Sequence, residues 1–587
     1  MPDDFGSIQD AIAFAKEGQR IFVKPGTYNE CIIVDKSLTI IGENAIIIGT
    51  GKTHTVQIKA NNVHFSGFTV KGKIRSSFSG IYVFYSSGNV IQNNTVTDHF
   101  YGIHLYDSSN NTLRRNNLTG NIYNLEVWGL VLDHFIHQID SSNYVEGKRV
   151  CYWVNREGGQ VPSDAGYIAL VNSSNVLVKN SVLTNNGEGI LLAYTTNSLI
   201  FNVTSIGNAR GIRLISSCNN EIFGCNLSDN NWTGIVVEAS SENTVRKCNI
   251  SKNFKGISLS ESNILNKASE RNIVSQNNVS GNTYGLWLHF SSENEISQNY
   301  FNNSYINIIL SSSNKNIFNK NTITMGSIGI SLSYSKDNII HHNDFINNTI
   351  QASIEGLLSQ NIWDKGDPSG GNFWSDYAGV DADNDGIGDT PYVIDSNNQD
   401  RYPQMKPYVP KFPNIGIAIV IPSQTEVYVG QIVNILAVIH NDGDTAGNFT
   451  IACKYISEGV EHLIETRAIT SPPPKRNMIV TFLWATTNIA ICKIKVEIPP
   501  LDGEIDSEDN VRISLLYVRV KILGDVNGDW KVDIKDVAIA AASFGSFPGH
   551  SRWDPRADIV CDDRVDMKDL VLIVKNFGYS EDRRKKW

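Results

Sequence analysis

Apolar residues occupy alternate positions through residues 80–350, and a tetrapeptide of the form Gly-Ile/Leu-x-apolar returns there at a fixed interval. It begins at Gly80, Gly102, Gly189, Gly211, Gly234, Gly256, Gly285 and Gly329. The step is about 22 residues wherever nothing is inserted, and alternation with a period of two indicates strands rather than helices. A repeat of this kind predicts a right-handed parallel β-helix, whose rungs each hold about three short strands and lie about 4.8 Å apart.

A second marker, usually asparagine, recurs three positions after an Ile or Val of each repeat. Its positions are Asn94, Asn116, Asn180, Val203, Cys225, Cys248, Asn277, Asn299, Asn321 and Asn343. Asparagines stacked at one turn of every rung can hydrogen-bond to their copies above and below, as in cross-β ladders. We therefore expect Asn277, Asn299 and Asn321 to stack. Cys225 and Cys248 would stack too, as buried packing residues or as a disulfide bridge.

The pattern also sets limits on the β-helix. Rungs are expected from about residue 21 to about residue 365, with an excursion of about two periods within residues 130–165, where the repeat breaks. Residues 5–20 predict an amphipathic helix with Ile8, Ile12 and Ala15 on one face. Such a helix would cover the unpaired edge of the first rung.

Beyond about residue 400 the repeat ends and the sequence pattern predicts other folds. Prolines at 403, 407, 410 and 413 indicate a linker, and residues 411–520 contain about seven alternating strands, the pattern of an immunoglobulin-like β-sandwich. Cys453 and Cys492 would bridge this sandwich only if their strands face each other. We expect three domains: the β-helix at residues 1–410, including an Asp-rich closing segment at 366–400, the sandwich at 411–520, and a small helical calcium-binding module at 521–587.

Calcium is predicted from the spacing of acidic residues in that module. Oxygen ligands at loop positions 1, 3, 5, 7, 9 and 12 suit Ca²⁺. The first loop supplies them from Asp525, Asn527, Asp529, Lys531 (by its carbonyl), Asp533 and Asp536. The second supplies them from Asp558, Asp562, Arg564 (by its carbonyl), Asp566 and Asp569, with Val560 in place of one ligand, so we expect weaker binding. A third candidate lies in the closing segment and comprises Asp381, Asp383, Asp385, Ile387 and Asp389.

The register predicts which side chains of the β-helix face outward. The outward candidates for carbohydrate binding are Tyr82, Phe84, His104, Tyr106, Arg213 and Glu238. Exposed aromatic rings stack on sugars, although the same rings would also serve to pack beneath the 130–165 excursion. Glycoside hydrolysis needs two carboxylates about 5–9 Å apart, and Glu238 has no acidic neighbour on the outward positions one rung away. The sequence therefore favours binding over catalysis.

Composition narrows the function further. The net charge of −10 disfavours a nucleic-acid partner, and no apolar run approaches the length of a membrane span. Residues 1–4 lack the features of a signal peptide, so we expect a mature or trimmed form of an exported protein. Asn-x-Ser/Thr sequons such as Asn110, Asn117 and Asn202 would be glycan acceptors in such a protein.

Several segments resemble known families. The opening, with Ile21-x-Val23, Pro25-Gly26-Thr27-Tyr28 and Leu38-Thr39-Ile40, is similar to pectin-lyase-like β-helix proteins. The segment 130–165 and the run Gly371–Tyr377 resemble the NosD-like group, many of them surface proteins. Residues 414–520 look like CARDB-type adhesion modules, and residues 523–580 like a type I dockerin, which implies a cohesin-type receptor. NosD proteins are associated with copper delivery, but the pairs His341–His342 and His134/His137 look like ordinary turn residues.

These observations lead to one hypothesis and two alternatives. The leading hypothesis is an extracellular, modular, non-catalytic protein that binds a polysaccharide or cell-surface glycan through its β-helix and docks through its calcium-dependent module. The first alternative is a polysaccharide lyase or C5-epimerase-like enzyme. The second is a structural surface-layer or filament subunit that associates with itself.

Overall fold

The protein folds into two compact units, one formed by residues 1–157 and 161–408 and the other by residues 158–160 and 409–587. The computed structural model describes residues 4–72, 77–262, 264–356, 359–408, 414–443, 447–474, 476–501, 507–547, 550–560, 562 and 564–580. Prolines 410 and 413 of the predicted linker lie outside the described residues. None of the helices in the described part is long and apolar enough to cross a membrane.

The first unit is a parallel β-helix built as two stacks of rungs. The front sheet of the N-terminal stack has five strands, Ile32–Val34, Val56–Ile58, Ser79–Phe84, Tyr101–Tyr106 and Tyr123–Trp128. The other two sides contain Arg20–Val23, Gly26–Tyr28, Thr39–Ile48, His64–Lys71, Val90–Gln92, Thr95–Thr97, Thr112–Arg114, Asn117–Leu118, Gln138–Ile139 and Tyr144–Val145. Pairing between successive rungs is parallel, as predicted from the repeat.

The C-terminal stack has a front sheet and two further sides. The front sheet comprises Lys148–Val154, Tyr167–Val171, Glu188–Ala193, Arg210–Ile215, Thr233–Glu238, Lys255–Ser260, Tyr284–His289, Ile306–Ser311, Ile328–Ser333 and Ile350–Glu355. The second side comprises Leu177–Lys179, Leu199–Phe201, Glu221–Phe223, Thr244–Arg246, Ile273–Ser275, Glu295–Ser297, Ile317–Asn319 and Ile339–His341. The third comprises Val182–Thr184, Thr204–Ile206, Asn226–Ser228, Asn249–Ser251, Asn278–Ser280, Tyr300–Asn302, Thr322–Thr324, Asp344–Ile346 and Phe373–Trp374.

The predicted asparagine ladder is confirmed. Asn277 Nδ2 donates to Asn299 Oδ1 at 2.9 Å, and Asn299 Nδ2 donates to Asn321 Oδ1 at 3.0 Å. The structure also has further ladders that we did not predict, such as Asn272–Asn294–Asn316 at a second corner. The prediction that Asn180 occupies the ladder position of its rung was wrong. The backbone of Asn180 is left-handed, with φ 56°, and the buried Ser181 occupies the ladder position instead.

The segment 130–165 is not the excursion that we predicted. Gln138–Ile139 and Tyr144–Val145 continue two sides of the N-terminal stack, with parallel pairing to the strands at Thr112 and Asn117. The chain then reverses through Glu146 and Gly147, both with positive φ, and Lys148–Val154 pairs antiparallel to Tyr144–Val145. Lys148–Val154 is also the first strand of the C-terminal stack. The break in the repeat therefore marks the joint between two stacks.

At this joint the first strands of the C-terminal front sheet are buried on both faces. Ala169, Leu191, Ala193 and Ile215 belong to the core of the N-terminal stack, whereas the alternating residues belong to the core of the C-terminal stack. The outward-facing positions of these strands, Arg213 among them, are therefore covered by the open end of the N-terminal stack rather than by solvent. The continuous apolar run Ile168–Val171 is the sequence signal of a strand buried on both faces.

Both ends of the β-helix unit are covered. The N-terminal helix spans Ile8–Phe14, shorter than the predicted 5–20, and buries Ile8, Ala11 and Ile12. Lys36 Nζ donates to three carbonyls at its C-terminal end, which stabilises the negative end of the helix dipole. At the other end Trp374 lies between Phe345 and Tyr392, with ring centroids 4.4 and 4.2 Å away. The rungs thus extend past residue 365 to Trp374, and a hairpin of Tyr392–Val393 with Gln399–Asp400 follows.

The second unit contains two β-sheets around one core. One has three strands, Ile415–Pro422, Ile432–Asn441 and Arg476–Ala485, and the other has five, Glu426–Tyr428, Asn448–Ser457, Val460–Thr470, Ala490–Glu497 and Val511–Lys521. The assignment to immunoglobulin-like or CARDB-type modules stays a prediction. Cys453 and Cys492 are buried free thiols, as are Cys225 and Cys248 of the β-helix. Two short helices, Ile534–Ser543 and Met567–Lys575, complete the described chain.

Candidate functional site

The front sheet of the N-terminal stack carries a cluster of aromatic side chains, here called the aromatic platform: Tyr82, Phe84, Tyr85, His104 and Tyr106. The strands Ser79–Phe84 and Tyr101–Tyr106 pair so that Tyr82 lies beside His104 and Phe84 beside Tyr106. Ring centroids are 5.4 Å apart for Tyr82 and Phe84 and 5.8 Å apart for Phe84 and Tyr106. Tyr85 is 63% exposed, Tyr82, Phe84 and Tyr106 are half-buried, and the His104 side chain is only 12% exposed. Four of the six predicted carbohydrate-binding residues thus come together.

The edges of the platform hold its rings in place. His54 stacks on Tyr82 with centroids 4.1 Å apart, and Tyr85, at φ 47°, packs edge-on to Phe84 at 4.4 Å. The residue after the front strand is left-handed in other rungs too, as at Tyr194 and Tyr334, so this conformation belongs to the turn of the β-helix. Burial raises the pKa of Tyr82 and lowers the pKa of His54 to about 4, so both rings are neutral near pH 7.

Arg213 and Glu238, the remaining two predicted carbohydrate-binding residues, do not join the platform. Arg213 is fully buried at the joint between the stacks, and its Nη2 lies 2.9 Å from Glu238 Oε2 and 3.2 Å from the carbonyl of Gly129. Its guanidinium lies 4.0 Å from the centroid of the Trp128 ring. The prediction that Arg213 faces a glycan was therefore wrong, because the last rung of the N-terminal stack lies over it.

Residues that the sequence reasoning missed complete a buried ionic cluster at the joint, here called the joint cluster: Glu126, Glu188, Arg210, Arg213 and Glu238. Arg210 Nη1 lies 3.1 Å from Glu126 Oε1 and 3.2 Å from Glu188 Oε1. Burial, followed by the charge of Glu126, raises the pKa of Glu188 to about 7. Burial alone would lower the pKa of Arg210, but Glu188 and Glu126 raise it. The sequence did contain a signal for this cluster. Two charged residues, Glu188 and Arg210, stand at the first position of successive front strands.

The platform and the joint cluster meet at His104. His104 Nε2 lies 3.2 Å from Glu126 Oε2, and the Tyr101 ring centroid lies 4.7 Å from that of His104. Burial lowers the pKa of His104, although Glu126 opposes the shift. A neutral imidazole beside a carboxylate and a phenol can move a proton. Both arginines of the cluster already pair with carboxylates, so their charge is largely neutralised within the protein.

The predicted Asp-rich loop of the closing segment brings three carboxylates together. Asp381, Asp383 and Asp385 place oxygen atoms within 4.8 Å of one another, and among the described residues no other group of three His, Cys, Asp or Glu ligands converges in this way. Asp389 instead accepts a hydrogen bond from Ala382 N at 2.7 Å. Hard oxygen ligands suit Ca²⁺.

The two loops of the terminal module are wrapped alike. In the first, Asp525 Oδ1 accepts from the backbone of Gly528 at 2.8 Å, and the buried Asp536 accepts from Val526 at 2.8 Å. In the second, Asp562 N donates to Asp558 Oδ1 at 3.1 Å, and Asp569 accepts from Ile559 at 2.8 Å. Asp533 and Asp566 cap the helices that follow. The final carboxylate of each loop is thus engaged by backbone N–H groups.

The two histidine pairs noted in the sequence do not form a copper site. Copper prefers imidazole and sulfur ligands. His341 Nδ1 and His342 Nδ1 lie 2.6 Å apart and hydrogen-bond to each other, and His342 Nε2 lies 2.7 Å from the carbonyl of Ser369. His137 is buried, and its Nε2 lies 3.0 Å from the carbonyl of His134. These imidazoles are satisfied within the fold.

The sequence matches the family model described as periplasmic copper-binding protein (NosD) over residues 14–155, 143–304 and 257–379. Together these matches cover residues 14–379, more than half of the 587-residue chain, and the chain therefore belongs to this family. A cell surface glycoprotein of Methanothermus fervidus is 40% identical over 96 residues. The match covers 16% of each protein, so the chain spans about a sixth of the length of the curated relative it matches.

Two solved structures are similar at low sequence identity. The A-module of the mannuronan C-5 epimerase AlgE6 of Azotobacter vinelandii is 14% identical, with 60% of this chain and 91% of the other covered and a TM-score of 0.25. The CARDB domain of the PF1109 protein of Pyrococcus furiosus is 17% identical, with 20% of this chain and 99% of the other covered and a TM-score of 0.17. Similarity at this level carries no conclusion about function.

Proposed function

We propose that this protein is a carbohydrate-binding protein of the cell surface and that the aromatic platform is its sugar site. The observation that carries the proposal is the contact network of Tyr82, Phe84 and Tyr106, which presents three half-buried rings and the exposed Tyr85 on one sheet. The surface location is supported by the name of the relative from Methanothermus fervidus.

The platform has the physical properties of a sugar site. Aromatic faces bury the apolar C–H face of a sugar ring at low entropic cost, because the rings are fixed by their neighbours before the ligand arrives. The Tyr82 phenol can donate a hydrogen bond at neutral pH, because burial raises its pKa and keeps it protonated. Rigid, neutral rings of this kind favour recognition of a polysaccharide over chemical conversion.

A glycan array tests the proposal. The Tyr82→Ala/Tyr106→Ala double variant should lose most of its affinity for any polysaccharide that the protein binds while the chain stays folded, because neither ring belongs to the apolar core of the stack. Tyr144→Ala, which removes an exposed tyrosine from another side of the same stack, is the matched control and should bind normally. Equal binding by the double variant and the control would refute the platform as the sugar site.

A second candidate function is a polysaccharide lyase or C5-epimerase, favoured by the contact of His104 with Glu126 beside Tyr101. His104 would remove a proton from the sugar, and the Tyr101 phenol would donate one. Incubation with acidic polysaccharides in D₂O separates the two functions. An epimerase or lyase would incorporate deuterium or produce unsaturated ends, and both would be lost in His104→Gln.

We further propose that calcium binds Asp381, Asp383 and Asp385 and the loops beginning at Asp525 and Asp558, and that the terminal module docks to a cohesin-type protein receptor. The support is the oxygen-rich spacing of each loop and the two helices, which leave Ile534 and Met567 more than half exposed.

A further inference from the structure

The C-terminal stack has an aromatic surface of its own, which the sequence analysis did not identify. Here called the second platform, it comprises Phe254, Lys255, Tyr284, Trp287 and Tyr305. Lys255 pairs in register with Tyr284 and Ser258 with Trp287, so the side chains lie on neighbouring rungs of the front sheet. Phe254 and Tyr284 have centroids 5.3 Å apart, and Tyr284 and Trp287 have centroids 5.1 Å apart.

The rings of the second platform are open to solvent at its rim. Phe254 is 47% exposed and Tyr305 is 59% exposed, and each occupies the turn immediately before its front strand. Successive rungs lie about 4.8 Å apart, so Phe254 and Tyr305, which are two rungs apart, span about 10 Å. A row of rings of this length fits a short oligosaccharide rather than a single small ion.

A cation lies among these rings without an anion beside it. Lys255 Nζ is 3.7 Å from the centroid of the Trp287 ring, and within the described residues no carboxylate oxygen lies within 4.0 Å of it. Arg210, two rungs earlier at the same strand position, pairs with Glu126 and Glu188. Burial lowers the pKa of Lys255, and no neighbouring acid opposes the shift. Half-buried ammonium groups are normally paired with an anion, and Lys255 contacts an aromatic ring instead, which leaves its charge open to an anionic ligand.

We propose that the second platform binds an oligosaccharide that carries carboxylates, with its sugar rings on Phe254, Tyr284 and Tyr305 and one carboxylate on Lys255. The aromatic rings supply stacking area, and the single ammonium selects an anionic sugar over a neutral one. This site is separate from the aromatic platform, and it stands whether or not that platform binds sugar.

Isothermal titration of the full chain with a galacturonate pentamer and with its fully methyl-esterified form tests the proposal. The methyl ester keeps the sugar rings of the ligand and removes the negative charge of its carboxylates. The wild-type protein should bind the free acid about tenfold more tightly than the ester, the size of one charge-assisted hydrogen bond. Lys255→Gln should remove that tenfold difference and leave binding of the ester unchanged. The glutamine is one atom shorter than the lysine but keeps the first three side-chain carbons and removes the charge.

Two controls make the result specific. Lys179→Gln removes another half-buried lysine, on the second side of the same stack, whose pKa is also lowered by burial; it should leave both affinities unchanged. Tyr82→Ala/Tyr106→Ala should leave the Lys255-dependent difference intact, which separates this site from the aromatic platform. If Lys179→Gln weakens binding as much as Lys255→Gln, or if the acid and the ester bind the wild type equally, the proposal is wrong.

Other occupants of the same surface would also overturn the proposal. Tighter, Lys255-dependent binding of pentaglutamate than of the galacturonate pentamer would indicate an acidic peptide. A dimer of the wild type that dissociates in Lys255→Gln, measured by sedimentation, would indicate a second copy of this chain.

Discussion

Glu126 Oε1 and Arg210 Nη1 lie 3.1 Å apart, although 84 positions separate the two residues in the sequence. Glu126 belongs to the last front strand of the N-terminal stack and Arg210 to the fourth front strand of the C-terminal stack. Arg210 also lies between the rings of Trp128 and Trp232, 4.5 and 4.6 Å from their centroids. This ion pair therefore joins the two stacks at a buried surface.

The first prediction concerns this joint. Arg210→Met should lower the free energy of unfolding by about 3–5 kcal/mol, because it removes the cation closest to the buried carboxylates of Glu126 and Glu188. Arg271→Met is the matched control, since it breaks a pair with Glu242 whose side chains are about half exposed, and it should cost less than about 1 kcal/mol. Urea denaturation of the full chain measures both. Equal costs would mean that the joint cluster contributes no more than a surface pair.

The second prediction concerns pH. The pKa of Glu188 is about 7 in the folded protein and ordinarily near 4.5, so the folded protein binds more protons between these values. The stability from this group is therefore present below pH 4.5 and lost as pH rises through 7. Glu188→Gln removes the titration, and its stability relative to the wild type should rise between pH 5 and pH 8. A constant difference across this range would contradict the assignment.

The comparison with Glu188→Gln is needed because other groups titrate in the opposite direction. Burial lowers the pKa of His54, His99, His137 and His341 to about 4. Neutral histidines of this kind contribute stability above pH 6.5 that is lost as pH falls through 4. The wild-type profile alone would mix the two effects, whereas the difference between the two proteins isolates Glu188.

The third prediction concerns the asparagine ladders. Asn299→Ala removes the acceptor of Asn277 N and Nδ2 and the donor to the carbonyl of Val274, and all three groups are buried. Each unsatisfied group costs about 1–3 kcal/mol, so we expect a loss of several kcal/mol in the free energy of unfolding. Asn249→Ala, an exposed position on the third side, should change it by less than about 0.5 kcal/mol. Similar losses at both positions would contradict a special role for the ladder.

The repeat predicted most of the β-helix because its signals are local. The alternation places Ile81, Ile103 and Leu125 in the core, and the asparagine slot sets the register of Asn277 to Asn343. The division into two stacks could not be predicted in this way. It depends on the front strand containing Leu191 being covered by a segment about 65 positions earlier, and periodicity contains no information about such contacts.

The sequence predicted the part of the candidate site that depends only on the local register of the strands. Tyr82, Phe84, His104 and Tyr106 lie on adjacent paired strands, so the register alone brings them together. Arg213 was misplaced because outward-facing positions were equated with exposure. Lys255 and Trp287 went unnoticed as a pair, since the sequence does not reveal which cations lack a carboxylate.

The fourth prediction concerns calcium. Titration of the full chain should show tighter binding at the loop beginning at Asp525 than at the loop beginning at Asp558, because Val560 offers no side-chain oxygen. Asp525→Ala should remove the tighter phase, and Asp383→Ala should remove a separate one. Chelation should expose the helices Ile534–Ser543 and Met567–Lys575 to proteolysis while the β-helix stays resistant, since metal binding is coupled to folding. Identical calcium binding by all three proteins would refute the metal sites.

The central claim, that the aromatic platform is a sugar site, is tested most directly by a crystal structure of the full chain with the oligosaccharide that it binds best on a glycan array. The account predicts a sugar ring stacked on Tyr82 and Tyr106, with its carbon atoms within about 4.5 Å of the aromatic rings. Well-ordered sugar bound elsewhere, with the platform contacting no part of it, would contradict the account.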